Sequence, residues 1–181
     1  METIAIQYYD SPYGTLMLGS IAERLCLCDW AASRHRKCTD ARLKRILKAE
    51  YVVRPSDVMR RTMTELEEYF RGTRTTFSIP LLMTGTEFQK KVWQSLLAIP
   101  YGTTISYGEE ARRIGKPAAV RAVANANGAN PMSIIVPCHR VIGSGGTLSG
   151  YGGGVAVKKW LLQLEQSNMA KRQTSISHLR V

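Results

Sequence analysis

The character of this chain changes around Thr84-Gly85-Thr86, and that break constrains its architecture more than any other feature. Before it, alternating runs read as short strands followed by helices; after it, capped helices dominate. Thr3–Tyr9 and Thr15–Ile21 flank the turn residues Asp10-Ser11-Pro12-Tyr13-Gly14 and read as a hairpin. Arg24–Trp30 reads as a third strand. A polar, basic segment follows and turns helical towards its end, where Leu43, Ile46 and Leu47 share a face. Val58–Phe70 reads as a second helix, with Met59, Met63, Leu66 and Phe70 in one stripe and Gly72 as its stop. Residues 1–83 are therefore expected to build a small antiparallel sheet with helices, serving as structural support. Nothing in them resembles a catalytic site.

Beyond the break, Thr86-Glu87-Phe88-Gln89 is a capping box that opens a helix with Phe88, Val92, Trp93 and Leu96 or Leu97 on its apolar face. A second capping box, Ser106-Tyr107-Gly108-Glu109, opens a short helix that stops at Ile114-Gly115. Pro117 suits the first turn of the next helix, Ala118–Asn127. Two short helices joined by Gly-Lys-Pro make a helix-turn-helix, although an αα-hairpin has the same outline. Ile134-Ile135-Val136 reads as a buried extended segment, kept extended by Pro137. The glycine-rich stretch Gly143–Gly154 must be a loop. A final helix, Val155–Gln166, puts Val157, Leu161 and Leu164 on one face. The fold class is α+β: residues 84–168 form a mostly helical C-terminal domain, and 169–181 a loose, flexible tail.

Charge narrows the partners. Lys and Arg number 25 against 14 Asp and Glu, a net +11. Such an excess favours polyanions, nucleic acid before anionic membrane, although a solvated basic surface needs no partner. No apolar run is long enough to cross a bilayer, and METIAIQYYD lacks the pattern of a signal peptide. A soluble, cytoplasmic protein without membrane contact is expected. Cys26, Cys28, Cys38 and Cys138 are too few for a disulfide scaffold. Alternation in RLCLCDW puts Cys26 and Cys28 on one strand face, as small buried hydrophobes, so no metal is expected.

Cys138 invites a different reading. It follows an apolar run and a proline, and His139 comes next. A free thiol titrates near ~8.5, so a nucleophilic cysteine needs a base. The pair also fits a buried thiol beside a surface histidine.

From Gly85 to Glu165, the segments GTEFQKKVW, IPYGTTISYGEEARRIGKP, RAVANANGANP, IIVPCHRVIG, GTLSGYGGG and KKWLLQLE resemble the O6-alkylguanine-DNA alkyltransferases. The string PCHRV stands at the family's spacing from RAV, NP and the trailing LLxxE. The resemblance implies direct, stoichiometric transfer of an alkyl group from O6-alkylguanine, and from O4-alkylthymine, to Cys138. It implies no cofactor, double-stranded DNA carrying the lesion as partner, and a monomer in solution. Catalytic roles fall to Cys138, to His139 as a base acting through a water, and to Glu165 as the carboxylate behind it. Asn130 ties the active-site segment to the DNA-binding helix. Tyr107 hydrogen-bonds the flipped base and steadies the leaving guanine. Arg121 fills the gap the base leaves, with Ala122 and Asn127 on the same DNA-facing helix. Val141, Tyr151 and Gly152 frame the pocket. The spare glycines Gly152–Gly154 suggest an open pocket that takes groups larger than methyl. Three other classes remain in view: a binding-only lesion sensor, a transcription regulator and a cysteine hydrolase. The first is opposed by the intact Cys138, His139 and Glu165, and the second by the alanine-rich helix face.

Overall fold

The protein is described from a computed structural model, over residues 2–178. Three strands, β1 (Glu2–Ser11), β2 (Gly14–Ile21) and β3 (Arg24–Trp30), form an antiparallel meander. A fourth, β4 (Ala49–Val53), lies parallel to β1 on its free edge, so the sheet order is β3-β2-β1-β4. The sequence reading has no β4. This five-residue strand follows α1 (Arg36–Leu47) after one residue, Lys48, whose φ of 49° ends the helix. Helical periodicity upstream hides it.

The register also corrects the placement of two cysteines. Gly19 faces Leu27 and Ser20 faces Leu25, so Cys26 is the extra residue of a β-bulge. A bulge inverts the alternation beyond it. Cys26 consequently packs with Ile4, Ile6, Met17 and Leu43 under α1. Cys28 packs with Leu16, Leu18 and Trp30 on the opposite face.

That opposite face joins the two halves of the chain. It is covered by α2 (Asp57–Phe70) and by α3 (Glu87–Leu97), in a cluster running from Leu16 and Leu18 to Trp93, Val136 and Leu161. Along the free edge of β3, Cys28 N–H bonds the Pro131 carbonyl of the second half, and Leu82 N–H bonds the Leu25 carbonyl within the first.

In the second half, α3 starts on the expected capping box, with Thr86 and Gln89 satisfying each other's N–H groups. Ser106 caps α4 (Tyr107–Arg113) through Glu109 N–H, while the Glu109 carboxylate bonds Arg112 and Arg113 instead of reciprocating. Helix α5 runs Val120–Gly128, two residues later than expected, because Pro117 and Ala118 lie in a turn. Two-residue strands β5 (Ile105–Ser106) and β6 (Val141–Ile142) pair in parallel. Helix α6 runs from Val155 to His178, well past Gln166. Residues 167–178 carry no apolar stripe to announce it. Arg172 reaches the Gly72 carbonyl, and Thr174, Ser175 and Ser177 bond carbonyls one turn back. The remainder of the expected tail, Leu179–Val181, lies outside the described residues.

Candidate active site

The segment before Cys138 is buried, as expected, but it is not extended. Val136 N–H bonds the Met132 carbonyl and Ile135 N–H bonds the Ser133 carbonyl, folding it into turns. Ile134 sits at φ 71°. A β-branched side chain in the left-handed region costs on the order of 1–3 kcal/mol and persists only where its surroundings impose it. Asn130 helps impose it: its amide donates to the Val136 carbonyl (2.8 Å) and its side-chain oxygen accepts Met132 N–H (2.9 Å). Pro137 then leads into a 3-10 turn, Cys138–Arg140, which sends Cys138 and His139 in different directions.

His139 and Glu165 have no exposed surface. The Nε2 of His139 is 2.7 Å from Glu165 Oε1. Four further donors reach the same carboxylate: Tyr69 hydroxyl (2.8 Å), Arg140 Nε and Nη2 (both 2.9 Å) and Gly102 N–H (3.0 Å). Gly102 presents that N–H from φ 76°, a conformation glycine adopts freely. Burial alone raises a carboxyl pKa, but His139 and Arg140 overcome it and hold Glu165 far below the usual range. Glu165 is therefore an ionised acceptor, so the hydrogen of His139 belongs on Nε2. The other nitrogen, Nδ1, is buried and has no partner among the described residues. Burial also lowers the His139 pKa, against the pull of Glu165, which keeps the ring neutral. A neutral imidazole with a free Nδ1 lone pair is a base.

Cys138 is 8% exposed. Burial pushes its thiol up to about 11, while Asn130 and Lys158 draw it down. At rest the sulfur keeps its proton. Lys158, on α6, was not singled out from the sequence. Buried, it donates to the Val141 (2.6 Å) and Ser149 (3.1 Å) carbonyls and lies over the Tyr107 ring at 5.7 Å. A lysine near the start of a helix carries no signal of its own; only the fold brings it here.

The cavity at Cys138 is lined by Tyr107, Asn127, Asn130, Tyr151 and Gly152 from the second half and by Asp29 and Ser33 from the first. It holds about 10 Å³, room for one water at most. Burial raises the Tyr107 hydroxyl to about 12; it stays protonated and lies 3.4 Å from the Ser149 carbonyl. Tyr151 is buried, its hydroxyl accepting the Trp30 indole N–H (3.0 Å). Ser133 donates to Asp29 (3.0 Å), which pairs with Arg36 (3.1 Å).

Three placements differ from expectation. Gly152–Gly154 do not leave the pocket open: a Cβ on Gly153 would stand 2.6 Å from the Trp30 indole and one on Gly152 3.1 Å from the Ser33 hydroxyl. Those glycines let the loop close onto the first half. Asn127 is not on the exposed face of α5, where Arg121, Ala122 and Asn125 lie; it is buried and accepted by Glu110 (2.7 Å). At Val141, N–H bonds the Cys138 carbonyl and the carbonyl takes Lys158, so neither is free in this closed state. Among the described residues, no group of three His, Cys, Asp or Glu could hold a metal. No described helix is long and apolar enough to cross a membrane.

A buried thiol and a buried imidazole are thus neighbours in the chain, in the segment that follows the helix-turn-helix of α4 and α5. Comparison with known proteins gives the lineage. Residues 4–83 match the ribonuclease-like domain, and residues 87–167 the DNA binding domain, of 6-O-methylguanine DNA methyltransferase. The chain belongs to that family. It is similar to the methylated-DNA–protein-cysteine methyltransferase of Mycobacterium bovis, 58% identical over 103 residues, an alignment taking in 57% of this chain and 62% of that protein. The Methanosarcina acetivorans protein of the same name is 42% identical over 159 residues, covering 88% of this chain and 96% of its own. Among solved structures, the O6-methylguanine methyltransferase of Mycobacterium tuberculosis superposes with a TM-score of 0.78 at 41% identity, over 92% of this chain and 94% of that one. A structure titled as Mycobacterium tuberculosis OGT in complex with DNA matches equally, at a TM-score of 0.78.

Proposed function

We propose that the protein repairs double-stranded DNA by moving the alkyl group of O6-alkylguanine, and of O4-alkylthymine, onto Cys138 in a single, stoichiometric turnover. The observation that carries this reading is the buried, unpartnered Nδ1 of His139, the residue next in the chain to a buried thiol, with Nε2 held by an ionised Glu165. In DNA the O6 position is stacked and paired, so the damaged nucleotide must leave the helix. Exposed Arg121 on α5 fills the gap, and small Ala122 beside it lets the helix approach the duplex. The loop carrying Tyr151 and Gly152 opens to admit the base. The Cys138 proton passes to His139 through a bridging water, and Glu165 stabilises the resulting imidazolium. The thiolate attacks the alkyl carbon, an S–C bond forms, and the C–O6 bond breaks. Tyr107 donates to the departing guanine, which leaves as an anion and is then protonated. Asn130 holds the Val136 carbonyl and so the turn bearing the nucleophile.

The alkyl group passes directly from oxygen to sulfur with no oxidant, reductant or carrier, so the step needs no cofactor, and the thioether that results has no route back. Residues 84–168 carry the binding and transfer groups; residues 1–83 support them. The reaction needs one thiol and one lesion, which suits a monomer, and four free cysteines suit the reducing cytoplasm.

Intact-protein mass after incubation with O6-methylguanine DNA tests the whole reading. One added methyl per molecule is expected, located on Cys138, with none on Cys138→Ala. Continued turnover, or a methyl elsewhere, overturns it.

A further inference from the structure

Glu110 is a buried carboxyl close to the pocket that, unlike Asp29 with its Arg36 counter-ion, has no cation paired with it among the described residues. It lies on α4 with no exposed surface, and Asn127 of α5 lines the Cys138 cavity next to it. Asn127 Nδ2 donates to Glu110 Oε2 at 2.7 Å. The two remaining oxygens of the pair, Glu110 Oε1 and Asn127 Oδ1, are both buried and both without a partner among the described residues. Two stranded acceptors on one bonded pair are costly, each on the order of 1–3 kcal/mol. A single proton on Oε1 removes both faults, because an acid O–H can donate to the amide oxygen.

We propose that Glu110 is a neutral carboxylic acid in the working protein, joined to Asn127 by two hydrogen bonds, and that this acid–amide pair positions the floor of the Cys138 pocket. The inference rests on the alkyl-transfer reading and adds a positioning residue to it.

The surroundings favour the neutral form. Burial pushes the Glu110 carboxyl up to about 7, against the lowering pull of Asn127 and of Arg113 on the same helix. The elements packed on α4 bring no buried charge to it. From α3 the buried residues are Val92, Trp93 and Leu96; from α5, Val123, Ala126 and Asn127; β5 and β6 present Ile105, Ser106, Val141 and Ile142. The titratable groups near it are Tyr107, on its own helix, and Cys138, both of which an ionised Glu110 pushes towards their protonated forms. A proton on Glu110 thus also spares the Cys138 thiolate a like charge.

Sign follows from this. As pH rises through the Glu110 value, a carboxylate replaces the acid, repels Asn127 Oδ1 and opposes the thiolate, so transfer slows where a simple thiol would speed up. Single-turnover methyl transfer, followed by intact mass from pH 6 to 9, is the test. Wild type is expected to lose about threefold or more of its rate between pH 7 and 8.5. Glu110→Gln, which can donate and accept in the same places, is expected to keep the neutral rate within about twofold and lose the alkaline decline. Equal profiles for the two proteins overturn the proposal. Carbon-13 NMR of the wild-type Glu110 carboxyl, assigned with Glu110→Gln, supplies a readout independent of activity. A midpoint near 7 supports the acid form, and one in the ordinary carboxylate range overturns it. If neither protein accepts a methyl at any pH, the transfer reading fails while the NMR midpoint still decides the state of Glu110.

Discussion

Glu165 shows how far a single buried charge can be committed. Five donors converge on two oxygens, and two of them, Tyr69 and Gly102, lie outside the Cys-His-Glu string that the sequence displays. Removing the charge leaves Arg140 buried without its counter-ion, a fault worth about 3–5 kcal/mol. Glu165→Gln is therefore expected to unfold roughly 10 °C below wild type, at about 2–4 °C per kcal/mol for a chain of this size. The pH dependence has a definite sign. A depressed carboxyl pKa gives stability that is fully present above the unfolded carboxyl value, ~4.3, and lost as pH falls from there through the much lower folded value. His139 acts in the same direction: buried neutral, it favours folding above ~6.5 and less so below. Thermal melts of wild type should fall on acidification from about pH 6.5, and those of Glu165→Gln should fall less steeply in the most acid range. A variant curve parallel to wild type contradicts the assignment.

At the level of elements, local signals succeeded where the chemistry is local. Thr86 and Gln89 mark the start of α3, Ser106 that of α4, and Gly72 the end of α2, because caps and stops depend on neighbours in sequence. Apart from the late start of α5, which is a local turn at Pro117 and Ala118, the failures involve distant partners. The bulge at Cys26 exists because Gly19 and Leu27 must face each other across two strands. The turns at Met132–Val136 exist because Asn130 and the strand end at Cys28 hold them. The extension of α6 to His178 leans on Gly72 and Tyr101. The loop of Gly152 and Gly153 belongs with these: its glycines answer to Ser33 and Trp30, more than a hundred residues earlier. Gly153→Ala should displace that loop or cost about 1–3 kcal/mol through overpacking. Melting temperature together with the methyl-transfer rate reads the effect, and an unchanged loop and rate would show that the indole yields freely.

Taken whole, the molecule assigns the reacting groups to one half and part of their enclosure to the other. Cys138, His139 and Glu165 were legible as candidates because they sit in one recognisable stretch, PCHRV to LLQLE. The contribution of the first half was not. Asp29, Ser33 and Trp30 reach the pocket, and Tyr69 the carboxylate, from strands and a helix whose patterns announce only a core. A methyl placed on Cys138 has no space waiting for it in a cavity of about 10 Å³. The methylated protein should therefore melt below the unreacted one, by about 2–4 °C for each kcal/mol of crowding. Calorimetry on the two forms, matched by mass, gives the comparison.

The closed pocket also has a consequence for supply. Peroxide and other oxidants attack thiolates, and reach exposed ones first. Cys138 is covered and keeps its proton in the closed pocket. On the proposed reading, each molecule accepts one group only, and a cell can meet oxidative and alkylating stress together. Shielding the sulfur from the first insult preserves the count of molecules ready for the second.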